Sequence, residues 1–373
     1  MPSNTAAWMN ARNAQLEVGP APYSRPGHDQ IVIHNRAVAV NPLDWIIQVA
    51  GSVTYRWLTY PTVLGSDVAG EVVEIGTTVT RFRVGDRVLA HAVGTDKDSN
   101  RAAEGGFQHY TVVLERLTCP IPDAMPFEDA AVLPLAVSTA ACGLFQKDQL
   151  GLRYPSVDAE PTGRTVLVWG GSTSVGSNAI QLAVAAGYEV ITTASPRNFD
   201  YVTSLGAAQV FDYRSPSVVP DIIATFQGRT LAGAIAFGTT SAPSCVQIVS
   251  ACTGNKFVSM ASPPVSFDTL ADENRGRLEF PRLIRRLITS NASLQVKARA
   301  HRVGTKFIFG TTLKNNDVST AIYCDFLPAA LAQGRYVAAP TPMVVGHGVD
   351  QCQHAMDTQL QGVSAAKVVV TLP

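Results

Sequence analysis

The fold of this chain turns on residues 165–198, "TVLVWGGSTSVGSNAIQLAVAAGYEVITTASPRN". The run "TVLVW" is apolar and largely β-branched, as a buried strand requires, and it ends in a Gly-rich turn. "SVGSNAIQLAVAAG" then places apolar residues at helical spacing, and "YEVITTA" returns to a strand. The same alternation runs on: "NFDYVTSLGA" reads as helix, "QVFDY" as strand, "DIIATFQ" as helix and "LAGAIAF" as strand. "APSCVQIVSAC" is a further helix, "KFVSMA" a further strand and "TKFIFGT" the last one. Strands interleaved with helices imply a doubly wound parallel α/β sheet, because right-handed crossovers need a helix between parallel neighbours.

The turn itself carries chemistry. A helix N-terminus exposes unpaired N–H groups and the positive end of the helix dipole, so a phosphate binds there. Gly171 and Gly176 fill the first and last positions of G-x-G-x-x-G, with Val175 before the last. The central glycine is replaced by Thr173, flanked by Ser172 and Ser174, so hydroxyl donors stand where close backbone approach is lost. Gly-rich turns also occur in α/β domains that bind nothing; the complete alternating unit is what makes this one a dinucleotide site. The end of the second strand selects the nucleotide. An acid there would hydrogen-bond a ribose 2′-hydroxyl, but this chain has Ser195, Arg197 and Asn198, which suit a 2′-phosphate. NADPH is therefore the expected cofactor. Asp200 belongs to the first turn of the next helix, and Tyr213 in "FDYRSP" either flanks the adenosine or is an ordinary strand-end residue.

Composition narrows the function classes. With 373 residues the chain is long enough for two domains, and 46% hydrophobic against 16% charged residues describes a globular protein. The formal net charge is zero, which gives no pointer to nucleic acid or to an anionic membrane. "MPSNTAAWMNARNAQ" lacks the apolar core of a signal peptide, and no run of about eighteen apolar residues is expected to span a bilayer. Six cysteines without CxxC spacing fit reduced thiols, so a cytoplasmic protein is expected, and the sequon at Asn291 is a chance match.

Residues 1–135 and 311–373 form the first expected domain, and 136–310 the nucleotide-binding one. "IVIHNRAVAV", "DVAGEVVEIG", "DRVLAHA" and "QHYTVVLERL" are short strands with Gly, Pro and Asp at their turns, as in a compact barrel-like β domain. From residue 126, "PFEDAAVLPLAVSTAACGLFQ" takes a helical period. Residues 262–303 interrupt the α/β rhythm with a polar insertion carrying Arg275, Arg277, Arg282, Arg285, Arg286, Lys297, Arg299 and Arg302. That insertion reads either as a solvated helix face or as a docking surface for an acidic carrier protein. The tail "GVDQCQHAMDTQLQGVSAAKVVVTLP" is a helix, a loop and a strand that returns to the N-terminal domain.

"PTVLGSDVAGEVVEIGTTVTRFRVGDRV", the nucleotide unit and "AAKVVVTL" together resemble the medium-chain dehydrogenase/reductase superfamily over nearly the whole chain. Its fold is a Rossmann domain plus a GroES-like barrel domain. "NPLDW", "LPLAVSTA", "GGSTS", "ASPRNFD" and "VFDYRSP" resemble in particular the zinc-independent, fungal trans-acting enoyl reductases of polyketide synthases. That resemblance implies a polyketide synthase with its acyl carrier domain as partner and an acyl thioester as substrate. Hydride would pass to the β-carbon and charge would move to the thioester oxygen, a reaction governed by positioning and a few hydrogen bonds. Asn41, Pro42, Leu43 and Asp44, with Met260, Ala261, Val363 and Ser364, would border the nicotinamide. Thr139 and Asp44 would be the catalytic candidates, and Leu133, Val137, Thr139, Phe280 and Leu283 would line the substrate. Asp44 is equally suited to cap a helix, Thr139 to be a buried helix hydroxyl, and Ser364 to sit in a loop.

No metal is expected. Where zinc-using relatives carry Cys, this chain has Asn41; where they carry Gly-His-Glu it has Gly65-Ser66-Asp67; and residues 95–119 offer only Cys119. One departure stands out, since the resembling reductases carry a Lys directly after "NP-x-D-W" and this chain has Ile46. The alternatives are a zinc-free reductase of free quinones, enones or imines, and a cofactor-binding protein without turnover.

Overall fold

The computed structural model describes residues 2–271 and 278–373, so Arg275 and Arg277 of the insertion lie outside the described residues. The chain divides into two compact units, Met1–Leu135 with Leu313–Pro373, and Ala136–Thr312.

The first unit is built on β1 (Asn4–Met9), β2 (Leu16–Ala21), β3 (Gln30–Ala39), α1 (Pro42–Thr54), β4 (Thr62–Val63) and β5 (Asp67–Ile75). It continues through β6 (Arg87–His91), β7 (Tyr110–Leu114), β8 (Thr118–Pro120) and α2 (Phe127–Ala131). A seven-stranded sheet holds it together. Its order is β15-β16-β3-β5-β6-β8, with β7 also on β3, where β15 (Thr341–His347) and β16 (Ala366–Thr371) come from the tail. β16 runs antiparallel to β3, Val370 opposite Val38, so the last strand does return to the first domain. Gly70 allows the close pairing of β5 on β3: a Cβ there would meet the His34 carbonyl oxygen at 2.0 Å.

The second unit starts on α3 (Pro134–Phe145), then runs β9 (Arg164–Trp169), α4 (Ser174–Ala185), β10 (Glu189–Ala194), α5 (Phe199–Ser204), β11 (Gln209–Asp212) and α6 (Val218–Thr225). β12 (Thr230–Ala236), α7 (Ser241–Ala251), β13 (Phe257–Met260), α8 (Glu279–Ala300) and β14 (Gly304–Phe307) complete it. The sheet order is β11-β10-β9-β12-β13-β14 and every pairing is parallel. The winding reverses between β9 and β12, and ligands of open α/β sheets bind outside the strand ends at such a point. Its core joins Leu167, Ile191, Ile222, Ala234, Val246 and Val258.

Four features differ from the sequence reading. "NPLDWIIQVAGSVT" is mostly helix, with Asp44, Ile47, Gln48 and Gly51 buried at i, i+3, i+4 and i+7. Strands β1, β2 and β15 are additions; β2 and β15 are mostly half-exposed edge strands with little apolar alternation to reveal them. Residues 262–303 contain a 22-residue helix, α8, in keeping with one of the two readings of the insertion; what differs is that Leu283, Leu294 and Ala298 of this polar stretch are buried. Finally, Phe127–Phe145 does have the length and hydropathy of a membrane span, contrary to expectation. It is 78% buried and divided into α2 and α3 around Pro134, which is the signature of core helices.

Leu167 has no exposed surface. Leu167→Ala is expected to cost about 2–5 kcal/mol by cavity formation. Val18→Ala, on an exposed side chain, should stay within about 0.5 kcal/mol. Thermal unfolding of the two variants checks this; equal midpoints would contradict the placement of the core.

Candidate cofactor and substrate sites

β9 ends at Trp169 and the chain reverses through Gly170, whose φ of +88° places it in the left-handed region. A Cβ on Gly171 would meet Thr192 Oγ1 at 2.2 Å, and one on Gly176 would meet the Gly170 carbonyl oxygen at 2.2 Å. Both glycines are thus required for α4 to approach the sheet. Thr173 is the N-cap: its hydroxyl accepts from Gly176 N at 3.0 Å and donates to Gly170 O at 2.8 Å. That hydroxyl is therefore committed to the turn. Ser174 differs, because its Oγ is buried and has no hydrogen-bond partner among the described residues. A buried hydroxyl left unmet beside free helix N–H groups is what a phosphate oxygen would satisfy. The turn has room for a phosphate group, for which the backbone of residues 171–176 and the Ser174 hydroxyl would be the donors.

Beyond β10, Ser195 is half-buried and Arg197 exposed in the turn Pro196–Asn198, while Asn198 is 8% exposed. Ala194 pairs with Asp212 across β10 and β11, so the residues after both strands emerge side by side. Tyr213 is 43% exposed, and the Arg214 guanidinium lies 5.3 Å from its ring centre. The same guanidinium is 3.5 Å from Asp212. Arg214 thus joins Arg197 as a cation at this edge; the sequence reading missed it although "DYRSP" displays it. On the other side of the reversal, Met260 ends β13 and Ala261 N donates to Ala236 O at 3.1 Å. Thr139, half-buried on α3, makes no hydrogen bond through its hydroxyl among the described residues, which leaves it a free donor. Val137 has no exposed surface, Leu283 is 2% exposed and Phe280 is 38% exposed.

In the first unit, Asn41 and Asp44 begin α1. Asp44 is 1% exposed, and its carboxylate accepts from Asn41 N at 2.8 Å and Gly65 N at 3.2 Å. This is the capping alternative for Asp44; Pro42 is exposed and Leu43 half-buried beside it. Burial pushes the Asp44 carboxyl up to about 7, against the lowering effect of the Asn41 N–H. The Asn41 side chain turns inward, where its amide donates to Asp67 Oδ2 at 2.8 Å and its carbonyl oxygen accepts from Lys367. The Lys367 ammonium also lies 2.8 Å from Asp67, with the two side chains 4% and 0% exposed. Asp67 further accepts from Leu135 N at 2.5 Å. His91 stands opposite Asp67 on β6 with no exposed surface, and burial pushes it down to about 4, so it is neutral at pH 7. Lys367 was missed, though a Lys inside the apolar run "AAKVVVTL" is a signal that a buried partner must exist. Val363 is half-buried and Ser364 exposed in the loop before β16, next to Ala365, whose φ of +49° is left-handed. Leu133 has no exposed surface. Among the described residues, no three His, Cys, Asp or Glu side chains converge as metal ligands.

Residues 27–123 match the alcohol dehydrogenase GroES-like domain. Over its whole length the chain is 53% identical to the dehydrogenase pigH of Monascus ruber, in an alignment of 374 residues covering 100% of both. It is 39% identical over 371 residues to the trans-enoyl reductase himH of Aspergillus japonicus, covering 99% of this chain and 97% of that one. An alcohol dehydrogenase superfamily protein from Novosphingobium aromaticivorans shares the fold, with a TM-score of 0.74 at 23% identity over 99% of this chain and 100% of that one. The chain belongs to the medium-chain dehydrogenase/reductase superfamily. It is an oxidoreductase that works with a nicotinamide cofactor.

Lys367→Met removes the ammonium and leaves Asp67 buried and unpaired, which should cost about 3–5 kcal/mol. An unpaired buried carboxylate is penalised only when ionised, so the deficit should be larger at pH 8 than at pH 5. Wild-type chemistry adds two opposed trends in that range. The raised Asp44 loses stability as pH rises from its ordinary 3.8 through about 7, and the lowered His91 loses it as pH falls from 6.5 towards 4. Denaturant titration of both proteins at the two pH values isolates the lysine effect by difference. A pH-independent deficit, or one that Lys367→Met/Asp67→Asn does not relieve, would contradict the pairing.

Proposed function

We propose that this chain is a zinc-independent, NADPH-dependent trans-acting enoyl reductase that serves a polyketide synthase. Its substrate would be an α,β-unsaturated thioester on the acyl carrier domain. The observation that carries the reading is the buried Lys367–Asp67–Asn41 cluster. At the positions where zinc-using relatives place Cys and Gly-His-Glu, this chain puts an internal ammonium whose charge is already matched by Asp67. In zinc-using relatives a Lewis acid at those positions polarises a carbonyl or alcohol oxygen, whereas conjugate reduction proceeds with hydrogen-bond donors alone.

The cofactor, when bound, supplies hydride from C4 of its nicotinamide. The protein's work is to hold the reactants and meet the charge that develops. The α4 N-terminus and Ser174 hold the diphosphate, and Arg197 with Ser195 and Arg214 receives the 2′-phosphate while Tyr213 flanks the adenosine. The free hydroxyl of Thr139 donates to the thioester oxygen as electrons move onto it. Asp44, enclosed and already accepting two backbone N–H groups, fixes the start of α1 and is not the proton source. With Ile46 in place of a lysine, the α-carbon takes its proton from water. The similarity to himH, a protein named as a trans-enoyl reductase, supports the same assignment.

Two measurements check it. Arg197→Ala should raise KM for NADPH about 10- to 100-fold, the loss of a charge-assisted contact of about 1.5–3 kcal/mol, and leave NADH unchanged. Equal effects on both cofactors would remove the 2′-phosphate argument. Wild-type enzyme should oxidise NADPH with crotonyl and 2-methyl-enoyl pantetheine thioesters. Rapid turnover of quinones with none of the thioesters would assign it instead to reduction of free acceptors.

A further inference from the structure

α8 has two apolar faces, and only one of them is used. Leu283, Leu294 and Ala298 are buried against the rest of the unit. On other faces Ile288 is 63% and Val296 66% exposed, with Ala292 exposed between them at the same four-residue spacing. At the N-terminal end of this second stripe, Phe280, Pro281, Ile284, Arg285, Ile288 and Thr289, all on α8, border a shallow, open surface depression of about 510 Å³. An apolar hollow flanked by exposed branched side chains is a surface shaped for another apolar group.

The charge on the helix says which group. α8 carries Arg282, Arg285, Arg286, Lys297 and Arg299 against the single acid Glu279. Glu279 is taken by Arg282 at 2.7 Å, and Lys297 reaches the Pro243 carbonyl oxygen at 3.4 Å. Arg285, Arg286 and Arg299 have no ion pair among the described residues, in a chain whose total charge is zero. Arg285 borders this depression, and Arg286 follows it on the adjoining face of the helix, so a cation flanks the apolar centre and a second lies next to it in the chain. A second copy of this chain fits poorly, because two such helices face to face would oppose their arginines. A partner that places a large apolar side chain in the hollow and carboxylates around it fits both features.

We propose that this face of α8 is the docking site for an acidic carrier domain that delivers the acyl group. The inference rests on the enoyl reductase reading and names the surface through which that activity is recruited. Arginines on an exposed rim act mainly on encounter and its salt dependence, and the apolar centre acts on residence.

The experiment compares one enoyl group presented in two ways, on an acyl carrier domain of a fungal polyketide synthase and on free pantetheine. Direct binding of the carrier domain is measured alongside by fluorescence anisotropy. Arg285→Glu/Arg286→Glu should raise KM for the carrier-bound substrate at least 10-fold and flatten its dependence on salt. Ile288→Ser should raise it several-fold at every salt concentration. Neither change should alter kcat or KM with the pantetheine thioester, which also reports that the variants are folded. Equal kinetics of wild type and variants on the carrier-bound substrate would overturn the proposal. So would an equal loss on both substrates, which would make α8 part of the acyl site. Loss of binding to phosphatidylserine vesicles with unchanged binding of the carrier domain would assign the face to membranes and overturn it too. If wild-type enzyme turns over neither thioester yet binds the carrier domain through Arg285 and Arg286, the docking site stands and the assignment of the reaction falls.

Discussion

The first unit depends on an ammonium group kept out of water. Lys367 comes from the last strand, Asp67 from β5 and Asn41 from the residue before α1, so one buried cluster ties three distant pieces of chain together. Such a pair gains little net stability, since desolvating both charges offsets most of their attraction. What it provides is specificity. Asp67 accepts from Lys367, Asn41 and the Leu135 N–H, and Asn41 both donates and accepts, so the cluster has only one satisfied arrangement. The start of α1 inherits that definition, and the second buried carboxylate, Asp44, locks it by closing back onto Asn41 N.

The second unit depends on close approach. Gly171 and Gly176 leave no room for a methyl group, and Thr173 spends its hydroxyl on capping α4. The replaced central glycine is thus a capping substitution, and the Ser174 hydroxyl stays unmet among the described residues. The proposed function assigns phosphate contacts to the α4 turn and the choice between the two dinucleotides to the edge beyond β10 and β11, where Arg197 and Arg214 follow adjacent strands.

The α/β half was readable because each of its strands is a short apolar run bounded by a helix of regular period. "TVLVW", "EVITTA" and "LAGAIAF" all became neighbours in one parallel sheet. The β half was less legible where burial is partial: β2 and β15 lie at sheet edges, and their mixed exposure gives no clean alternation. "NPLDWIIQ" resembles a cleft segment, and its buried helix face is hard to see in sequence because two of the residues that form it, Asp44 and Gln48, are polar. Site residues divide in the same way. Candidates written in local motifs, such as Gly171 and Arg197, can be proposed from spacing. Lys367 and Asp67 lie 300 residues apart, and only folding brings them together. Asp44 was legible as a position but not as a role, because its two partners are backbone N–H groups that leave no trace in side-chain identity.

On the proposed function, this oxidoreductase delivers hydride to an alkene carbon without a metal, and an isotope label reports where the hydride goes. The enzyme is incubated in ordinary water with NADPH deuterated at C4 and an enoyl thioester, and the product is examined by NMR. The account predicts one deuterium at the β-carbon, hydrogen from water at the α-carbon, and unchanged transfer after exhaustive chelation. Deuterium on a carbinol carbon, or transfer that chelation abolishes and zinc restores, would contradict it.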